Sequence, residues 1–267
     1  MKLSAFTISF QLEEVAIPFE LCIRHHLDLV DEYVVLDLGS RDGTWEKLND
    51  IFGNERAVKL IRIKEPINKI NSYWLNKGKD MAYRHTTGDW ALINDLDEYI
   101  HERDFPHIRD LIKAHKDEKV IFGFDYAHFV GNYRTRIVGN YFKWKQILFP
   151  RDDILSTKGH IDGGTFFPED GSRYEYIDSG IVVYHYWLLW KWKKEDLNTV
   201  DWKGRQDKEY CRYIRHDGYY PRPVREHPER FVCDNFECLK YIKIAPKHLP
   251  NMNPKGYEDR PPDETRP

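Results

Sequence analysis

Short apolar runs alternate with longer amphipathic stretches through the first hundred residues. Residues 3–10 read as a first strand, 32–37 as a second, 57–63 as a third and 90–93 as a fourth. Between them, apolar positions at helical spacing predict helices over 19–30, 45–52 and 71–87, the first opening behind Pro18. Strands alternating with helices predict an α/β architecture, a mostly parallel central sheet with right-handed crossovers. The run Trp90-Ala91-Leu92-Ile93 suits a strand buried on both faces. Beyond residue 100 the pattern predicts a helix over 101–115 and strands over 119–129 and 140–149, separated by 131–136. Alternation in Tyr141-Phe142-Lys143-Trp144-Lys145 predicts a strand with one solvated face. A last strand spans 177–186, and Trp187 opens a helix rich in Trp and Lys.

The acids stand where these strands end. Asp37 closes the second strand, and Asp95, Asp97 and Glu98 follow the fourth. Ligands of such sheets bind outside the carboxyl ends of the strands, so Asp37 and Asp95 open onto one crevice. In an extended chain Asp95 and Asp97 share a face while Leu96 turns to the core. Like charges about 4 Å apart repel by roughly 4 kcal/mol at an effective dielectric of about 20, so a cation is expected there. Carboxylates are hard ligands suited to Mg2+ or Mn2+, which share their shell with substrate phosphates. Lys77, Lys79 and Arg84 lie on the helix beside the crevice, and one of them is expected to touch a substrate phosphate. The pair His25 and His26 has no acidic partner nearby and reads as structural.

Composition narrows the classes. The chain has 267 residues and a formal net charge of -3, which does not suggest a general nucleic-acid surface. Its 4 cysteines are too scattered for a disulfide framework or a zinc site. No apolar run approaches the roughly 20 residues of a membrane helix, and residues 1–6 lack the apolar region of a signal peptide. The expectation is a cytoplasmic protein with reduced cysteines. With 8 Trp and 17 Tyr, the chain is suited to sugar-facing or interface surfaces, or to an aromatic core.

Two motifs carry a family resemblance. Asp37-x-x-Ser40-x-Asp42-Gly43-Thr44 and Gly88-Asp89-Trp90 through Asp95-Leu96-Asp97-Glu98 resemble the turn and the Asp-x-Asp strand end of family 2 glycosyltransferases. The resemblance implies the GT-A fold, a nucleoside diphosphate sugar as donor and Mn2+ or Mg2+ as cofactor. It implies that Asp37 hydrogen-bonds the donor base, with Ser40, Lys79 and Asp95 also on the donor, and that Asp95 and Asp97 meet the metal. His185, before Tyr186, matches a late His that completes the metal shell in many GT-A enzymes. Residues 158–164, a Gly-rich loop, resemble more weakly a neighbourhood that holds the catalytic base; Asp162 is the candidate base and His160 its orienting partner, with Asp152, Asp153 and Glu169 as alternatives. Two departures stand out: Gln11-Leu12-Glu13-Glu14 replaces an Asn-Glu pair after the first strand, and Lys79-Asp80 replaces Arg-Asn.

The expected organisation is a GT-A catalytic domain over 1–190, with a donor half to 100 and an acceptor half after it. A helical extension over 191–245 packs on it, and a Pro-rich tail over 246–267 follows. The expected reaction passes a sugar to a hydroxyl of a glycan, lipid or protein, with inversion implied by the resemblance. The basic aromatic stretch 187–194 is a candidate for peripheral membrane contact or for packing on the domain. The rivals are a catalytically inactive relative that binds a glycan or partner, and a sugar nucleotidylyltransferase. The latter would carry a Gly-rich phosphate loop where residues 10–14 carry none.

Overall fold

Strand β1 (Leu3–Ser9) is buried along nearly its whole length, because parallel neighbours flank it on both edges. β2 (Glu32–Asp37) lies on one side and β4 (Trp90–Ile93) on the other, while β3 (Val58–Arg62) pairs parallel with β2. The chain thus builds outward from β1 and then returns to its far edge, which puts a topological switch point between β1 and β4. The linking helices are α1 (Leu12–Val15), α2 (Phe19–His26), α3 (Thr44–Phe52) and α4 (Ser72–Arg84). Asn71 caps α4, its side chain accepting from the Trp74 amide at 3.0 Å. α4 packs on β1 and β2. Gly88 lets the chain enter β4 close to β1: a Cβ there would lie 2.7 Å from Ser4 Oγ and 2.9 Å from Lys2 O.

This is a computed structural model that describes residues 1–130, 132–138, 144–153, 155–157, 166–188, 212–216 and 218–232. Beyond β4 the described strands are mostly antiparallel. β5 (Glu98–Ile100) follows at once, then a 3-10 turn (Glu102–Asp104), α5 (Phe105–Ala114) and β6 (Val120–Val130). β7 (Asn132–Val138), β8 (Trp144–Pro150), the small pair β9 (Leu155–Ser156) and β10 (Phe167–Pro168), and β11 (Glu175–Leu188) come next. One edge of β6 takes β8 along its first half and β7 along its end, and its other edge takes β11 in parallel. β8 runs antiparallel to β4, which joins the two halves into one ten-stranded sheet. β12 (Arg212–Arg215) closes the far edge on β7, and α6 (Arg222–Glu226) follows. Arg222 reaches Asp28, Arg225 reaches Glu102, and Arg230 donates to Glu20 at 2.9 Å, so this late segment is tied to the first hundred residues.

Two expectations change here. The stretch 131–136, read as a separator, belongs largely to β7, which finds partners in β6 and β12. The helix expected to open at Trp187 does not begin there, since β11 continues through Leu188 along β6; residues 189–194 lie outside the described part. The expected α/β sheet keeps parallel pairs at both ends, β1 to β4 and β6 with β11, and β5, β7, β8 and β12 add antiparallel partners.

Candidate active site

The turn after β2 is built around Asp37, which is fully buried. Its Oδ1 accepts from the Gly39 and Ser40 amides, both at 3.0 Å, and meets Arg62 Nε at 3.3 Å. Its Oδ2 accepts from Ser40 Oγ at 2.6 Å and Ser9 Oγ at 3.0 Å. Gly39 is required where it stands: its φ is +85°, and a Cβ would lie 2.4 Å from the Pro66 backbone. The departure at 11–14 is seated on this turn. The Gln11 amide donates to Ser40 Oγ (3.0 Å), the Leu12 amide to Thr44 Oγ1 (2.8 Å), and the Glu14 amide to Asp42 Oδ2 (2.7 Å). Asp37 and Ser40 are therefore the frame of the loop that faces the crevice, and Arg62, which sequence reasoning did not single out, braces it by donating to Ser40 O at 2.6 Å. Asp37→Ala is expected to cost at least about 2 kcal/mol, because it orphans buried donors, and to loosen the turn. Urea melts and limited proteolysis check this; an unchanged midpoint would contradict it.

The acid turn is not the extended segment expected. β4 ends at Ile93, and Asp95, Leu96 and Asp97 lie on the turn to β5, so the two carboxylates have different partners. Lys79 Nζ approaches Asp95 Oδ1 at 2.7 Å and Oδ2 at 2.9 Å, and Lys145 Nζ takes Oδ2 at 2.9 Å. Lys145 also meets Glu98 Oε1 at 3.1 Å, which accepts from Tyr126 Oη at 2.8 Å. Lys145 is thus on a buried face, 6% exposed, and not on the solvated one predicted from alternation. Lys79, from α4, is 1% exposed; Lys77 lies over the Tyr73 and Trp74 rings, and Arg84 donates to the Leu155 carbonyl. Burial opposes ionisation of Asp95, but Lys145 and Lys79 outweigh it and hold the carboxyl below the usual range.

Asp97 is different. It is 8% exposed, and among the described residues no lysine or arginine reaches its carboxylate. Burial, with the charges of Glu98 and Asp95, pushes its carboxyl up to about 8. His185, from β11, places Nε2 3.8 Å from Asp97 Oδ1. Its other ring nitrogen, Nδ1, lies 2.9 Å from Nδ1 of His128 on the adjacent β6. Burial and the neighbouring His128 push the His185 imidazole pKa down, so it stays neutral. His128 and Lys145 were not found from the sequence. The only signal for His128 is its place two residues from Tyr126 on one face of β6. His25 and His26 are buried behind the turn: His25 Nε2 donates to Ile100 O at 2.7 Å, and His26 Nδ1 donates to Cys22 O at 2.9 Å. His160 and Asp162 lie outside the described residues.

These shifts set a pH profile. Between about pH 4 and 8 the folded protein keeps a proton on Asp97 that the unfolded chain has released, so stability falls as pH rises through that window. The buried histidines act oppositely. His26 is pushed down to about 3 and His101 to about 4, both chiefly by burial, so stability is lost as pH falls below about 6.5, where the unfolded chain protonates them. Without divalent cations, stability is expected to peak near pH 6.5 and to drop by at most about 1.4 kcal/mol per pH unit up to pH 8. Thermal melts in EDTA between pH 5 and 9 measure it, and a flat profile from 6.5 to 8 would contradict it.

Whether this donor set fits a divalent cation turns on Asp97 and His185. A buried carboxylate with no cationic side chain on it, beside a neutral imidazole whose second nitrogen is held by another residue, is the oxygen-nitrogen pair that such an ion takes. Asp95 does not fit as well, because lysines occupy both its oxygens. Among the described residues no group of three or more His, Cys, Asp or Glu is arranged to hold a metal, so the rest of the shell would come from diphosphate oxygens and water.

Residues 19–169, more than half of the chain, match the model described as glycosyl transferase family 2. The chain belongs to that family. It has the GT-A fold of that family, whose curled sheet flanked by helices is the one described above. No curated protein matches it. Among solved structures it is similar to S. aureus TarS 1–349, with 19% identity over 47% of this chain and 36% of that one, at a TM-score of 0.37. The same protein in complex with UDP-GlcNAc gives 19% identity over 49% and 36%, at 0.39. A further S. aureus TarS structure gives 15% over 69% and 36%, at 0.45. The chain spans about a third of the length of those TarS chains. No described helix of this family member is long and apolar enough to cross a membrane.

Proposed function

We propose that this glycosyltransferase transfers a sugar from a nucleoside diphosphate donor to a hydroxyl of a glycan, lipid or protein, with the donor diphosphate seated over the acid turn. The observation that carries the reading is Asp97: a buried acid pushed to about 8, beside His185, at the switch point of the sheet. Asp97 and His185 would hold Mn2+ or Mg2+, whose chemistry there is to neutralise charge developing on the leaving diphosphate. Lys79 and Lys145 keep Asp95 ionised, so that it stands ready to accept from donor hydroxyls. The turn of Asp37 and Ser40, braced by Arg62, shapes the floor under the donor base. The acceptor hydroxyl needs a base, worth about 100- to 10,000-fold in rate, and Asp162 with His160 remains the candidate pair, as does inversion. A basic aromatic contact with membranes through residues 187–194 belongs to the same proposal.

A panel of nucleotide sugars, screened by thermal shift with Mn2+ and with EDTA, tests this. One member at 100 times its dissociation constant should add about 2.7 kcal/mol of stability, and only with the cation. A shift identical in EDTA would remove the cation from the reading. No shift with any nucleotide sugar would remove the donor.

A further inference from the structure

Asn94 interrupts the apolar logic of β4. It follows Trp90-Ala91-Leu92-Ile93 and is itself 2% exposed, although an unpaired buried amide costs several kcal/mol in an apolar medium. Both of its amide protons and its carbonyl oxygen are engaged. Its Nδ2 donates to Glu98 O at 2.9 Å and to Asp95 O at 3.3 Å. Its Oδ1 accepts from Tyr33 Oη, on β2, at 2.6 Å, and the Cys22 thiol of α2 lies 3.6 Å away. The same thiol is 3.4 Å from Glu98 O. One side chain therefore binds both ends of the acid turn, and two other elements hold that side chain still. On the opposite side the Tyr186 amide donates to Asp97 O at 3.0 Å, next to His185.

We propose that Asn94, anchored by Tyr33, is a positioning residue that fixes the Asp95–Glu98 turn and so the aim of Asp97 at His185. An apolar residue at 94 would bury as well but would leave the carbonyls of Asp95 and Glu98 without these donors. The turn would then rest on its own Glu98 amide to Asp95 carbonyl bond (2.9 Å) and the Glu98 carboxylate on the Asp95 amide (3.3 Å), and would open more often. A ligand pair misplaced by about 1 Å loses much of its affinity. Asn94 touches no reacting atom; it acts through the backbone.

The Mn2+ arm of the test rests on the cation reading above, and the amide-exchange arm does not. Asn94→Ala and Tyr33→Phe are made in the full chain and compared with wild type at a temperature where circular dichroism shows all three folded. Hydrogen exchange of the Leu96–Glu98 amides is expected to accelerate at least about tenfold in Asn94→Ala and less in Tyr33→Phe, with the β1 amides unchanged. Mn2+ affinity, read by electron paramagnetic resonance, is expected to fall about 10- to 100-fold, as for groups that orient metal ligands. Turn exchange equal to wild type, or turn and β1 amides accelerating together, would overturn the proposal. Mn2+ affinity unchanged in a variant whose turn exchanges faster would also overturn it, since the turn would then not aim the acid. If wild type itself binds no Mn2+, the cation reading fails and the exchange result alone decides the role of Asn94.

Discussion

Lys145→Met is expected to destabilise the protein by about 3 to 5 kcal/mol, the cost of removing one partner from a buried ion pair. The lysine touches Asp95 and Glu98 together, and Glu98 is only 2% exposed, so Glu98 cannot turn to water for compensation, while the half-buried Asp95 keeps Lys79. Burial alone would favour a neutral Lys145, yet Asp95 and Glu98 outweigh it and push its pKa up, so the ammonium is a fixed charge at any working pH. Methionine matches the volume but leaves Glu98 with no ammonium on it and Asp95 with Lys79 alone. A second change, Glu98→Gln, should recover part of the loss by removing one of the uncompensated charges, while Asp95 keeps Lys79. Chemical denaturation of the single and double variants measures both terms. A single-variant loss below about 1 kcal/mol would mean that the pair is solvated and the buried placement of Lys145 does not govern stability.

Asp97→Asn is expected to lower cation-supported turnover by about 100-fold or more, the scale of losing one electrostatic stabiliser of the developing charge. It is also expected to do something unusual for a loss-of-function change. At pH 8 in EDTA the variant should melt higher than wild type, because asparagine removes a buried acid that Glu98 and Asp95 make hard to ionise. At pH 5, where Asp97 is protonated in the fold, the difference should largely vanish. Paired melts at the two pH values and turnover with saturating donor separate the two effects. A variant that melts lower than wild type at pH 8 would show that Asp97 is already well compensated, and retained turnover would move the cation to other residues.

The parallel half was legible because its signals are local. The runs at β1, β2 and β4 and the acids at their ends lie within a few residues of each other, and a buried parallel strand needs no knowledge of its partner to be recognised. Asp37, Asp95 and Asp97 can therefore be picked out as strand-end acids, though not what each touches, whereas Ser40 and His185 are singled out only by the family resemblance. The second half depends on pairing. Alternation says that Lys143 and Lys145 share a face, but not which face is covered, and the acids that draw Lys145 inward stand 50 residues earlier. β5 has three residues, too few to show a period, and exists because β11 supplies its ladder. His128 looked like any strand histidine until β11 placed His185 across from it. Asn94 seemed part of the acidic motif, and only Tyr33, 61 positions away, reveals its task.

The late arrival of Lys145 bears on how the chain comes to fold. During synthesis, at about 5 to 20 residues per second, Asp95, Asp97 and Glu98 emerge several seconds before the ammonium that neutralises two of them, and His185 follows later still. Lys79 alone is available in that interval. A nascent chain stopped near residue 130 would hold β1 to β4 with their acids crowded and undercompensated, and with β6 lacking all three of its partner strands. Such a fragment is expected to stay loosely collapsed and prone to pairing with other chains through that open strand. The parallel half is thus contiguous in sequence but expected not to fold independently: its closing step waits for β8, and completion of the sheet edge waits for β12.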